Sequence, residues 1–414
     1  MTAETMTMFD HLDATPDTLV GLNPNERTPT QVLGLGMGVD SCSVLLRWIT
    51  DPTSRDFALE DLAVVTAQTG DEKETARTEI ESLILPLLRA NNIRLIQAAR
   101  AGRYVTSAGG GVVVLSDTRQ PSRMFIEGRY KLSDEMFSAG TVPQSGGARL
   151  CSVHSKGDVL DPVIARITRG QPYRHFLGFE LHEQARALKD SRFNTDLRTG
   201  VYPLIEWGWS RQDCQDFIVD TVGAPLSKSA CLFCPFALAN KGSRIETFAR
   251  YAERPDEALI ALRMEHVALG LNANQGLIGG KRLIDLLSST GEHQHVLDAF
   301  SADLDAAPHA LYRVRRILRP SRSDPTKMAN AARAVEAIAT GTRSELLDRL
   351  TTEYGQDIEI DGLTTRVYRE RRGPQLPARE ELYAVVPAVV DDKQHRNFDT
   401  WWADLEPLNV PLAS

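Results

Sequence analysis

A glycine-rich turn between an apolar run and an amphipathic segment is where this sequence is best equipped for chemistry. Val32-Leu33 leads into Gly34-Leu35-Gly36-Met37-Gly38, then Val39-Asp40-Ser41, then an amphipathic stretch through Arg47 and Trp48. The pattern predicts strand, tight loop, helix. Glycines let backbone N–H groups close on a ligand, and a helix N-terminus presents further unpaired N–H groups, so a phosphate is the natural guest. A glycine turn that binds nothing satisfies the same residues. Two phosphate loops are excluded: Val39-Asp40 follows where Walker A requires Lys-Ser/Thr, and Ser41 stands where the Rossmann fingerprint requires its third glycine.

The cysteines are the second chemical resource. There are five, Cys42, Cys151, Cys214, Cys231 and Cys234. An odd count argues against a disulfide framework and towards metal or redox chemistry. Cys231-Leu232-Phe233-Cys234 sets two thiols at a spacing open to zinc, a redox dithiol or an iron–sulfur cluster. For Cys42, just after the loop, a small buried side chain is the expected role, and core burial competes for Cys214.

The elements that must hold these groups read as α/β. Leu62–Ala67 is a short apolar run suited to a buried strand; Ile80, Leu83, Ile84, Leu87 and Leu88 follow at helical spacing, and Ile93–Ile96 reads as the next strand. Strand–helix–strand units predict an open parallel sheet with helices on both faces. Val112–Leu115 is a further strand, Gly109-Gly110-Gly111 a turn, and the stretch from Gly128 to Gly147 an active-site segment. The expected organisation is a polar leader over 1–30, an α/β domain over 31–236 and a mainly helical region over 237–414. The leader is acidic and lacks a basic n-region, so it does not read as a signal peptide. With 42% apolar residues and no membrane-length apolar run, a cytoplasmic protein is expected. The net charge of −8 gives no global attraction to nucleic acid.

Five elements, in order from about Gln31 to Phe236, carry a family resemblance. Gly36-Met37-Gly38-Val39-Asp40-Ser41 resembles the Ser-Gly-Gly-x-Asp-Ser loop of the adenine-nucleotide α-hydrolase (PP-loop ATP pyrophosphatase) superfamily, with Gly36 for the serine and Met37 for a glycine. Thr69-Gly70-Asp71-Glu72 with Thr75 resembles the Asp-Thr-Gly-x-Glu…Thr element of its PAPS-reductase-like branch, Gln68 standing in place of the aspartate. The same Thr69 and Glu72 also suit a plain helix N-cap box. Cys151…Lys156…Pro162 is similar to that branch's Cys…Lys…Pro element. Gly178-Phe179-Glu180 with Glu183 and Arg186, and Tyr202-Pro203-Leu204 with Trp207 or Trp209, resemble its next segments. Ser210 then caps a helix. Ser229-Ala230-Cys231-Leu232-Phe233-Cys234-Pro235-Phe236 resembles its Ser-x-Cys-x-x-Cys-Pro-Phe signature.

The resemblance implies an ATP α-hydrolase. Gly36, Met37, Gly38, Val39, Asp40 and Ser41 would hold phosphates, Asp40 assisting Mg²⁺, and Lys156 would neutralise charge during attack at the α-phosphorus. Thr69, Gly70, Glu72, Glu183 and Arg186 would bind the rest of the nucleotide. Cys151, Cys214, Cys231 and Cys234 would ligate a [4Fe–4S] cluster, with Zn²⁺ as the alternative. Reductases of this branch use a nucleophilic cysteine near the C-terminus; none follows Cys234 in this sequence, which disfavours PAPS or APS reduction. The closest functional resemblance is to the ATP-pyrophosphatase component of DNA phosphorothioation systems, which implies partner proteins of a modification complex, a cysteine desulfurase or other sulfur donor, and a DNA acceptor. A tRNA thiolation enzyme or a non-catalytic nucleotide-binding subunit are the alternatives.

Beyond Phe236, helices are expected at Ile245–Tyr251, Glu257–Leu269, Lys281–Leu287 and Ala329–Leu350, with a hairpin around Asp361-Gly362. Arg313, Arg315, Arg316, Arg319 and Arg322, and then Arg366, Arg369, Arg371 and Arg372, form two basic clusters. They read first as a solvated face or as salt-bridge partners, and second as a phosphate-backbone footprint.

Overall fold

The computed structural model describes residues 19–143, 149–289, 291–321, 324 and 331–405. They fall into two compact units, the first over residues 19–132 and 149–232 and the second over residues 133–143 and those described from 233 onward.

The first unit is built on a six-stranded sheet: β1 (Gln31–Gly34), β2 (Leu62–Gln68), β3 (Arg94–Arg100), β4 (Val112–Thr118), β5 (Tyr173–Phe176) and β6 (Arg198–Val201). Their order is β4-β3-β2-β1-β5-β6. All neighbours pair in parallel except β3 and β4, so the expected parallel sheet is a mixed one with an antiparallel edge. Both faces are covered, which explains why the central strands are continuous apolar runs. On one face Leu33, Val64 and Leu95 pack with Cys42, Leu45 and Leu46 of helix Val39–Thr50, and with Cys214 and Ile218 of helix Arg211–Val222. On the other, Val32, Ala63, Val65, Ile96 and Ala98 meet Val159, Val163 and Ile164 of helix Asp158–Thr168. Each fully buried Val or Leu contributes about 1.5–3 kcal/mol, which fixes the strand phases.

Two helical stretches widen into π-helical turns, Ile80–Ile84 and Val153–Gly157. Each lies N-terminal to a proline, Pro86 or Pro162, which cannot donate to the preceding turn. Helix Arg211–Val222 opens with the expected cap: Ser210 and Asp213 form a reciprocal box. The Thr69/Glu72 cap does not form. The next helix starts at Glu74 after Lys73, with no side-chain cap.

The second unit joins a sheet to the expected helices. It holds a five-stranded antiparallel sheet of β7 (His309–Leu318), β8 (Ala332–Gly341), β9 (Ile358–Asp361), β10 (Thr364–Glu370) and β11 (Ala378–Pro387), ordered β8-β7-β11-β10-β9. The helices Lys241–Glu253, Pro255–Leu271, Leu283–Ser288, Gln294–Ala306 and Arg343–Tyr354 accompany it. The helix expected over Ala329–Leu350 is therefore a strand followed by a helix, its first residues lying outside the described ones. β9 and β10 make the expected hairpin, with Gly362 in the left-handed region at φ +61°. Helix Leu132–Ala139 occupies part of the expected active-site segment, and residues 144–147 of that segment lie outside the described residues.

Five arginines of the two clusters lie on or beside this sheet and serve ion pairs. Arg313 pairs with Glu381 at 2.6 Å, Arg315 with Asp399 at 2.9 Å, and Arg316 with Glu380. Arg366 is fully buried, pairing with Glu359 at 2.6 Å and donating to the Leu269 carbonyl; Arg371 pairs with Asp357 at 2.6 Å. The salt-bridge reading holds for these residues. Arg322 lies outside the described residues. No helix among the described residues is long and apolar enough to cross a membrane.

Candidate functional site

The sheet order reverses at β1: the chain runs outward through β2 and β3, then returns to β5 on β1's other side. A crevice at the carboxyl ends of the strands flanking such a switch point is where open α/β sheets bind ligands. The glycine loop lies there. β1 ends at Gly34, and Leu35 N–H still donates to the Val65 carbonyl at 2.8 Å. Met37 then takes φ +54°, a left-handed conformation, with its side chain buried. Gly38 precedes helix Val39–Thr50, and no side chain caps that helix. Its first-turn N–H groups are thus placed to bind an anion. The Gly36 N–H donates to Ser41 Oγ at 3.1 Å and its carbonyl accepts from Ser229 Oγ at 2.7 Å. A Cβ on Gly36 would meet nothing within 4 Å, so protein packing does not require glycine there.

Two other segments close on the loop. After β5, Gly178 passes so near the helix start that a Cβ would stand 2.8 Å from Ser41 N. Glycine is required for that approach. Just beyond, Glu180 accepts from His182 N–H at 3.0 Å, Glu183 pairs with Arg186, and the Arg186 guanidinium lies 4.5 Å from the centre of the Phe179 ring. Asp40 stands 2.6 Å from Arg211. Burial nevertheless pushes the Asp40 carboxyl up to about 6, against the pull of Arg211, and the charges of Glu183 and Glu180 add to the rise.

At the β2 end, Thr69-Gly70-Asp71-Glu72 is bound to the cysteine segment. Leu232 N–H donates to the Asp71 carbonyl at 3.0 Å, Glu72 and Cys231 form a β-bridge, and Thr69 Oγ1 lies 3.5 Å from Cys231 Sγ. Lys156, in the π-helical turn, stands 3.8 Å from the buried Glu72 carboxylate. Gly70, at φ +82°, has the Lys131 side chain against it, and Leu132 N–H donates to the Thr69 carbonyl at 2.8 Å. Gly178, Arg211, Ser229 and Lys131 were not expected as site members. Only Gly178 and Ser229 carried a local signal, through the motifs that contain them.

Buried polar atoms without hydrogen-bond partners gather in these segments: Asp40 Oδ1, both amide atoms of Gln68, Glu72 Oε1, Ser155 Oγ and Glu183 Oε2. Native structures leave few such atoms, and ligands commonly satisfy them. The unbonded Asp40 and Glu183 oxygens have the hard-donor character that Mg²⁺ takes alongside substrate phosphates.

The cysteines divide. Cys42 is buried beneath the loop, as expected. Cys214 is fully buried in the same core, its carbonyl accepting from Ser43 Oγ at 3.2 Å, and burial pushes its thiol up to about 12. That environment favours a protonated thiol and suits the core role that competes for this residue. Cys151, Cys231 and Cys234 are partly exposed. Among the described residues, no three His, Cys, Asp or Glu side chains stand together as metal ligands. Compared with protein-family models and with curated proteins, the chain matches none.

Proposed function

We propose that the first unit is an ATP α-hydrolase of the PP-loop kind. One observation carries the reading: a glycine loop opening an uncapped helix lies at the sheet's switch point, among buried polar atoms that the protein leaves unbonded. In this reading the N–H groups of Gly36 to Ser41 hold the β- and γ-phosphates. Asp40 and Glu183 would hold Mg²⁺, which supplies neutralisation of phosphate charge. Lys156 and Arg186 would meet the phosphates from the other two segments. An acceptor oxygen forms its bond to the α-phosphorus as the α–β bridging bond breaks, and pyrophosphate leaves with the electron pair. Catalysis is then positioning and electrostatic stabilisation of the charge that builds on the leaving group.

For the acceptor, the resemblance favours a DNA phosphate, with sulfur supplied by a desulfurase or comparable donor and partner proteins completing the complex. The paired arginines of the second unit lend no support to a nucleic-acid footprint there.

Incubation with Mg²⁺ and α-³²P-ATP tests the first step. With no other acceptor present, water supplies the attacking oxygen and its protons pass to solvent, so formation of AMP and pyrophosphate, lost in Ser41→Ala and Lys156→Met, is the expected result. ADP and phosphate as products, or no turnover with tight ATP binding, would replace the reading by a phosphatase or a nucleotide-binding subunit. Labelled sulfur appearing in DNA or in tRNA then distinguishes the acceptors.

A further inference from the structure

Gln68 ends β2, one strand from the glycine loop. Along β2 the side chains alternate: Ala63, Val65 and Ala67 pack towards helix Asp158–Thr168, whereas Leu62 and Val64 pack towards helix Val39–Thr50. Gln68 is in phase with Leu62 and Val64. It therefore stands at the carboxyl edge of the sheet, on the face whose helix begins at the loop. It is 1% exposed, yet neither Nε2 nor Oε1 has a hydrogen-bond partner.

Gln97, on the next strand and the same face, shows what a satisfied glutamine looks like in this fold. Its Nε2 donates to the Arg123 carbonyl at 2.8 Å, and its Oε1 accepts from Phe125 N–H at 2.9 Å. A buried amide with neither bond is costly, and such a group at the carboxyl edge of the sheet, one strand from the glycine loop, points to a partner that arrives with the ligand. That partner must offer a donor and an acceptor side by side. Phosphate offers acceptors alone; it would engage Nε2 and leave Oε1 facing an anion. A nucleobase edge offers both, as the adenine N6–H₂ and N7 pair does to a glutamine amide.

We infer that Gln68 pairs with the base edge of the bound nucleotide and sets base selectivity, an inference that rests on the ATP reading above. Gln68→Met keeps the size of the side chain and removes both polar atoms. The test measures the melting temperature of nucleotide-free protein and the affinities for ATP and for inorganic tripolyphosphate. The expected result is a rise of about 2–4 °C in melting temperature. ATP affinity falls about tenfold or more, and tripolyphosphate affinity is unchanged. Gln68→Leu serves as the second variant and behaves alike. An unchanged ATP affinity overturns the inference, as does an equal loss for both probes, which would put Gln68 at the phosphates. Wild-type protein that binds ATP no tighter than tripolyphosphate would overturn the nucleotide reading itself, before any variant is compared.

Discussion

Arg211 Nη2 stands 2.6 Å from Asp40 Oδ2, so a residue opening one helix neutralises a carboxylate in the first turn of another. Burial outweighs that neutralisation: Asp40 titrates at about 6 instead of 3.8. The folded protein keeps the proton up to about pH 6, while the unfolded chain releases it near 3.8. The stability contributed by this group is thus fully present below pH 3.8 and is lost as the pH rises through 6. The shift corresponds to roughly 3 kcal/mol before losses at the half-exposed Arg211. Asp40→Asn should therefore raise the melting temperature of nucleotide-free protein by about 2–4 °C at pH 7.5, with the difference vanishing near pH 4. Thermal unfolding across that range checks it; a gain that persists at pH 4 would show that the carboxyl is not the cause.

Lys156 and Glu72 make a second pair, and here the buried member is the acid, whose side chain is 2% exposed. Removing Lys156 leaves that carboxylate with less compensation, at a cost on the order of 1–3 kcal/mol. Lys156→Met should lower the melting temperature, and adding Glu72→Gln should restore most of it. Turnover, measured well below every melting temperature, stays lost in the double variant if Lys156 acts on the phosphates. Its recovery there would mean that Lys156 only compensates Glu72.

The two classes of thiol predict different metal chemistry. Cys214→Ala should cost about 1 kcal/mol of stability, as a small core truncation does, and leave metal content unchanged. Cys231→Ser should abolish whatever iron or zinc the protein carries. Iron, sulfide and zinc analysis of anaerobically purified protein decides it, and metal lost in Cys214→Ala would restore that residue to the ligand set.

The first unit was legible because its strands are apolar runs and its loop is a local pattern. Nothing local marks β4 as antiparallel, since an edge strand's direction is decided by the chain's return path. Ala332–Gly341 misled for a physical reason: its alanines favour helix, and pairing with β7 overrides that propensity. In β7 the alternation of Tyr312 and Val314 with Arg313 and Arg315 was a readable period of two, hidden by the arginines' resemblance to a charged helix face. At the site, Arg211 was beyond reach. It meets Asp40 across 171 residues, and only the fold brings them together.

Met37 opposes two effects within one residue. Its left-handed φ of +54° costs roughly 1–2 kcal/mol for a side chain other than glycine, and its burial returns a comparable or larger amount. Met37→Gly loses the packing and relieves the strain, whereas Met37→Ala loses nearly the same packing and keeps the strain. The expected order of melting temperatures is wild type, then Met37→Gly, then Met37→Ala, the reverse of the usual preference for alanine over glycine. Tripolyphosphate binding should survive in both variants, because the loop presents backbone N–H groups to the ligand and not the methionine side chain. An alanine variant more stable than the glycine variant would mean that the loop does not hold this residue in the left-handed region.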